Sequence, residues 1–144
     1  SAKAAAASDG EGAAASAHLT AWHPCESVHF YWLCRGQEEF QWFLPLLREA
    51  LEGPAKDRIE VSLFQTGVIE VGEIQALGGG IRQYVGRPDW RRIFPKVAAQ
   101  HPGDRVGVFL CGPQALRGEL VAGAEAATRA DQDGTLFHVH AENF

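Results

Sequence analysis

From Ser27 onward the hydrophobic positions switch between the periods of strands and helices. Ser27-Val-His-Phe-Tyr-Trp-Leu-Cys34 is aromatic and β-branched and ends at Arg35-Gly36, which predicts a buried strand. Glu38 to Leu51 then places Phe40, Phe43, Leu44, Leu47 and Leu51 at three-and-four spacing with Glu and Arg between them, a helix that Gly53-Pro54 ends. Ile59 to Thr66 alternates as a second strand. Strand, helix, strand is the right-handed crossover unit of a parallel sheet.

Between Gly67 and Pro88 the pattern weakens and glycine dominates, including Gly78-Gly79-Gly80, so a surface excursion above the sheet is expected. A helix resumes at Pro88-Asp89 with Trp90, Ile93, Phe94 and Val97 on its apolar face; Pro95, lacking a backbone donor, is expected to kink it or delay its start. Arg105 to Cys111 reads as a third strand, Pro113 to Arg129 as a third helix and Thr135 to His140 as a fourth short strand. The order βαβαβαβ predicts an α/β fold with an open, doubly wound, mostly parallel sheet. Ligands of such sheets sit beyond the carboxyl ends of the strands, which here means Arg35, Thr66, Cys111-Gly112 and the terminal Glu142-Asn143-Phe144.

The first twenty residues hold nine alanines and nothing large enough to anchor a core before Leu19. Residues 1–26 therefore read as a flexible linker, and 27–144 as one domain of about 120 residues, small for a complete two-domain enzyme. A net charge of -5 with scattered Lys and Arg disfavours nucleic acid as a partner. The longest apolar runs reach six or seven residues, against ~20 for a membrane span, so the segment itself is expected to be soluble. Cys25, Cys34 and Cys111 show neither metal-ligand spacing nor a disulfide pattern, which fits a reducing setting. No signal peptide is visible.

Cys111-Gly112-Pro113 ends a strand and opens a helix, so glycine admits a close ligand and proline presets the first turn; a tight turn with a buried, inert cysteine suits the same three residues equally well. Arg35 and Arg87 fall at the expected ligand edge, and paired guanidinium groups suit a phosphate monoester, although either one alone is more often an ordinary surface residue. Neither Gly-x-Gly-x-x-Gly nor a Walker loop occurs. His138 and His140 share one side of a strand but have no third ligand at useful spacing, so no metal site is expected. No serine has the context of a nucleophile elbow. Phe144, an aromatic chain end, either packs in a core or covers a cofactor.

His29-Phe-Tyr-Trp-Leu-Cys-Arg35, Phe40-Gln-Trp-Phe43, Gly86-Arg-Pro-Asp-Trp90, Gln100-His-Pro102, Val106-Gly-Val-Phe-Leu-Cys-Gly-Pro113 and Glu142-Asn-Phe144 appear in this order. Together, from about Val28 to Phe144, they resemble the NADPH oxidase family of the ferric reductase-like superfamily. The resemblance implies the C-terminal part of a ferredoxin-reductase-like NADPH domain. By that resemblance Arg35 and Arg87 would bind the 2′-phosphate of NADPH, with Thr66 and Pro88 among the cofactor-binding residues; Cys111, Gly112 and Pro113 would lie next to the nicotinamide; Glu142 would help position it; and Phe144 would cover the flavin ring until nicotinamide displaces it. It also implies a parent that passes electrons from NADPH through FAD and two membrane haems to oxygen, giving superoxide or hydrogen peroxide, with this lobe on the cytosolic face of a membrane. FAD is then held mainly by a flavin-binding domain outside this sequence, and haem by transmembrane helices outside it. The glycine-rich Gly-x-Gly-x-x-Pro turn that the resemblance places at the opening of the lobe is missing, so the fold is expected to be incomplete, and Gly67 to Tyr84 is shorter than the resemblance leads one to expect. A ferric-chelate reductase uses the same cofactors on another acceptor, but the Glu-Asn-Phe ending favours the oxidase. A non-catalytic α/β interaction domain would have no use for Arg35 and Arg87 together.

Overall fold

The computed structural model describes residues 25–68, 70, 72, 74–130 and 134–142; Phe144 and most of the expected linker lie outside the described residues. Among the described residues five parallel strands and four α-helices follow in the order β1 (Val28–Cys34), α1 (Glu38–Gln41), α2 (Leu44–Glu52), β2 (Ile59–Gln65), β3 (Ile81–Val85), α3 (Trp90–Gln100), β4 (Arg105–Cys111), α4 (Gln114–Ala130) and β5 (Leu136–Glu142). The α/β class and the parallel pairing agree with the sequence reading. The pairing is divided, however, between a three-stranded sheet, β1-β2-β3, and a two-stranded sheet, β4-β5, instead of running through one open sheet.

Further differences are local. Gly67 to Pro88 is not wholly an excursion, because Ile81–Val85 pairs with Val61 to Gln65 as an edge strand. Gly78, Gly79 and Gly80 all have positive φ, and Ile81 N donates to Gly78 O, so the glycine run is the turn that feeds β3. The helix expected over 38–51 breaks at Trp42-Phe43. Pro45 has no amide hydrogen, and its ring would collide with the Gln41 carbonyl in a continuous helix; in the first turn of a new helix it is tolerated. Pro95 does not delay α3, whose start is set by the Asp89 carboxylate accepting from Arg91 N at 3.1 Å. β5 runs two residues past His140, to Glu142.

The three-stranded sheet is covered on both faces, as parallel strands require. Phe40, Leu44 and Leu47 pack with Cys34, Val61, Leu63 and Ile81 on one face. On the other, Trp90 of α3 meets Tyr31 edge-on with centroids 5.7 Å apart, and Phe94 meets Phe137 of β5 at 5.1 Å, so α3 ties the two sheets together. α4 sits close on α3, where a Cβ at Gly123 would come within 2.8 Å of the Phe94 ring. The opposite face of β4-β5 carries Phe109, 81% exposed and stacked on His140.

A histidine junction closes the far end of the sheets. His29 Nε2 and His101 Nε2 are 3.1 Å apart, Glu60 lies 3.2 Å from His29 Nδ1, and Arg82 pairs with Glu60 at 2.8 Å. His101 also faces Asp104 at 3.5 Å and Ser27 Oγ at 3.2 Å, while its carbonyl accepts from the Thr135 hydroxyl. Burial holds His29 below the ordinary imidazole range; Glu60 opposes that shift and His101 adds to it. A histidine depressed in the folded state is charged first in the unfolded chain, so its contribution is complete above the unfolded value of about 6.5 and declines as pH falls below it. The melting temperature is therefore expected to drop between pH 7.5 and pH 5.5, and His29→Gln to flatten that slope. An unchanged slope in the variant would place the titration elsewhere.

Candidate functional site

The strand ends on the carboxyl side of the three-stranded sheet are held by hydrogen bonds that extend the ladder. Thr66 N and its hydroxyl both donate to Cys34 O, at 2.7 and 3.0 Å; Gly67 N donates to Arg35 O at 3.1 Å and Gly86 N to Gln65 O at 2.8 Å. A Cβ on Gly67 would stand 2.5 Å from the Arg35 carbonyl oxygen, so only glycine lets these two turns touch. Gly86, at φ 93°, makes the turn that delivers Arg87. Glu39 Oε1 accepts from the backbone N–H groups of Arg35 and Gly36, fixing the turn between β1 and α1.

These turns enclose an open cleft of about 820 Å³, within the range of small-molecule sites, whose wall includes Leu33, Arg35, Gln65, Thr66, Gly67 and Arg87. Glu38 is the one acidic residue among its lining residues. The Arg35 guanidinium makes no hydrogen bond or ion pair among the described residues, and Arg87 has only Glu119 at 3.5 Å, a pair with both side chains about half exposed or more. Such a surface pair is worth little, so both cations are available to an anion in the cleft. Pro88, beside Arg87, is buried and leads into α3.

Cys111, Gly112, Pro113 and Glu142 sit at the carboxyl end of the two-stranded sheet and are not part of the cleft wall. Cys111 and Glu142 are register partners on β4 and β5, and both are exposed. The cysteine is thus a free surface thiol, not the buried turn residue of the alternative reading. The buried thiol is Cys34, which donates to Phe64 O and which burial pushes up to about 11, leaving it unreactive. A Cβ on Gly112 would meet only Leu110 Cδ1 at 3.6 Å and Leu116 Cδ2 at 3.9 Å, ordinary contact, so the packing does not demand glycine there. Phe144 lies outside the described residues.

Arg35, Thr66 and Arg87 were legible from the strand ends, whereas Gln65 and Gly67 were not. A glutamine in step with Val61 and Leu63, on the apolar side of an alternating strand, is the signal that could have drawn attention to Gln65. Among the described residues no helix is long and apolar enough to cross a membrane.

An α/β lobe with two exposed guanidinium groups beyond the carboxyl ends of parallel strands has the architecture of a nucleotide-binding domain. Residues 20–78 and 78–124 match the ferric reductase NAD binding domain, and the chain belongs to that family. It is 33% identical over 136 residues to respiratory burst oxidase homolog protein B of Solanum tuberosum, covering 81% of this chain and 16% of the relative. The Arabidopsis thaliana protein of the same name is 32% identical over 146 residues, 88% of this chain and 17% of the relative. NADPH oxidase 3 of Rattus norvegicus is 30% identical over 155 residues, 90% of this chain and 27% of the relative. The chain thus spans about a sixth of the two respiratory burst oxidase homologs and about a quarter of NADPH oxidase 3.

Proposed function

We propose that this chain is the NADPH-binding part of a flavin-linked oxidoreductase that passes electrons from NADPH through FAD and haem to oxygen, giving superoxide or hydrogen peroxide. The observation that carries this reading is the convergence of Arg35, Thr66 and Arg87 on one cleft, with neither guanidinium engaged by a strong intramolecular partner. The cleft fits a nucleotide in chemistry as well as volume: two cations for a phosphate monoester, a threonine hydroxyl and a buried amide at its wall. NADPH, when bound, supplies the hydride.

In this reading Arg35 and Arg87 hold the 2′-phosphate, with Thr66 and Pro88 shaping the site between them. Cys111, Gly112 and Pro113 form the wall against the nicotinamide, and Glu142, in register with Cys111, orients it. Phe144 stacks over the flavin ring and yields that place to the nicotinamide. FAD and haem belong to regions of the longer protein outside this sequence, and this lobe stands on the cytosolic face of an integral membrane parent. The names of the oxidase relatives support the acceptor.

Saturation-transfer NMR on the 144-residue chain tests the reading. Saturation of the protein is expected to reach the adenosine protons of NADPH more strongly than those of NADH at equal concentration. No transfer to either nucleotide, or equal transfer to both, would count against a 2′-phosphate site.

A further inference from the structure

The strand that ends at the cleft carries one side chain whose hydrogen-bonding capacity is left open. Gln65 is the last residue of β2 and only 2% exposed, yet it forms part of the cleft wall. Its side-chain oxygen is buried with no hydrogen-bond partner among the described residues. On the same side of β2, Val61 and Leu63 belong to the apolar core, so leucine would satisfy the packing here without stranding a carbonyl. A buried acceptor with no donor costs stability, and folded proteins leave few such groups without a partner. The backbone carbonyl of Gln65 is already matched by Gly86 N, one residue before Arg87, so the orphan is confined to the side chain and lies beside the turn that delivers a phosphate-binding cation.

We propose that Gln65 is a further binding residue of this cleft, whose side-chain carbonyl accepts a hydrogen bond from the adenosine half of the nucleotide. This rests on the reading of Arg35 and Arg87 as the 2′-phosphate site. A 2′-phosphorylated adenosine carries two donors within reach of a group neighbouring that phosphate: the 3′-hydroxyl, vicinal to it, and the 6-amino group of the base. The chemistry is the same for both, a neutral donor meeting an amide oxygen shielded from water, and the shielding is what makes the match selective. A site that buries an acceptor discriminates against the analogue lacking the donor, because the acceptor then stays unpaired.

The test is calorimetric titration of the 144-residue chain with 2′-AMP, its 3′-deoxy analogue and purine riboside 2′-phosphate, which lacks the amino group, on wild type, Gln65→Leu and Arg35→Ala. Wild type is expected to bind one of the two analogues roughly 3- to 10-fold more weakly than 2′-AMP. Gln65→Leu is expected to bind 2′-AMP more weakly by the same factor, to lose the discrimination, and to melt at or above the wild-type temperature because the orphan carbonyl is gone. If Gln65→Leu binds all three like wild type, or loses equally on all three because the amide meets the phosphate, the assignment is overturned. A loss of 2′-AMP binding in Arg35→Ala alongside an unchanged Gln65→Leu would sink this inference alone. Absence of 2′-AMP binding in wild type, or no effect of Arg35→Ala, would remove the phosphate site and this inference with it.

Discussion

Replacing Arg35 and Arg87 together by alanine is expected to weaken NADPH by about a hundredfold or more while leaving NADH nearly unchanged. The two nucleotides differ only by the 2′-phosphate, so a difference between them isolates groups that meet that phosphate. A hydrogen bond to a charged group is worth roughly 1.5 to 3 kcal/mol, about tenfold or more for each arginine. The two share one ligand group, so their single-variant losses need not add. Stability does not confuse the result: the Arg87 side chain is 66% exposed and its partner Glu119 is 49% exposed, and the Arg35 guanidinium has no partner to lose among the described residues. Arg→Lys at either position keeps the charge but not the planar fork, and should recover only part of the affinity. Equal losses for NADPH and NADH at unchanged melting temperature would mean that the arginines steer any anion and read no 2′-phosphate. Because both cations face solvent, the NADPH preference is also expected to shrink as salt is raised.

The parts of this fold that were legible from sequence are those whose cause is local. β1, β2 and β4 announce themselves as short β-branched runs bounded by turn residues, and α3 by Trp90, Phe94 and Val97 on one face behind the Asp89 cap. β3 escaped because an edge strand need not alternate cleanly: of Ile81 to Val85 only Ile81 is buried, and Arg82 is spent on an ion pair with Glu60. The break between α1 and α2 was legible in principle, since Pro45 forbids a continuous helix there, but the spacing of Phe40, Leu44 and Leu47 bridges the break and hides it. The division into two sheets was not legible, because which strands share a ladder depends on contacts between residues far apart in the chain.

The site follows the same rule. Arg35, Thr66 and Arg87 could be placed because each follows a strand or a glycine turn. Gly67 could not, because its reason is the Arg35 carbonyl thirty-odd residues away, which its Cβ would strike. Gln65 looked like an ordinary strand end until its oxygen proved to be buried without a partner.

Cys111→Arg is expected to reduce turnover of the proposed full-length oxidoreductase by about a hundredfold or more with little change in melting temperature. The thiol is exposed, free and at the carboxyl end of β4, so a longer polar side chain has room in the folded lobe. Its neighbour across the ladder is Glu142, and a new guanidinium would pair with that carboxylate and fill the space proposed for the nicotinamide. Displacing a hydride donor by about 1 Å is enough to cost a factor of order a hundred, while the phosphate contacts proposed on the other sheet would stay intact. The loss should therefore appear in kcat, with the NADPH dissociation constant changed far less. Gly112→Ala supplies a milder version of the same test. A Cβ there meets only Leu110 and Leu116 at ordinary contact distances, so the fold tolerates it, and a fall in turnover would report a ligand approaching the backbone. Wild-type turnover in both variants would reduce Cys111-Gly112-Pro113 to a strand-to-helix turn. A fall in melting temperature matching the fall in activity would assign it a structural role instead.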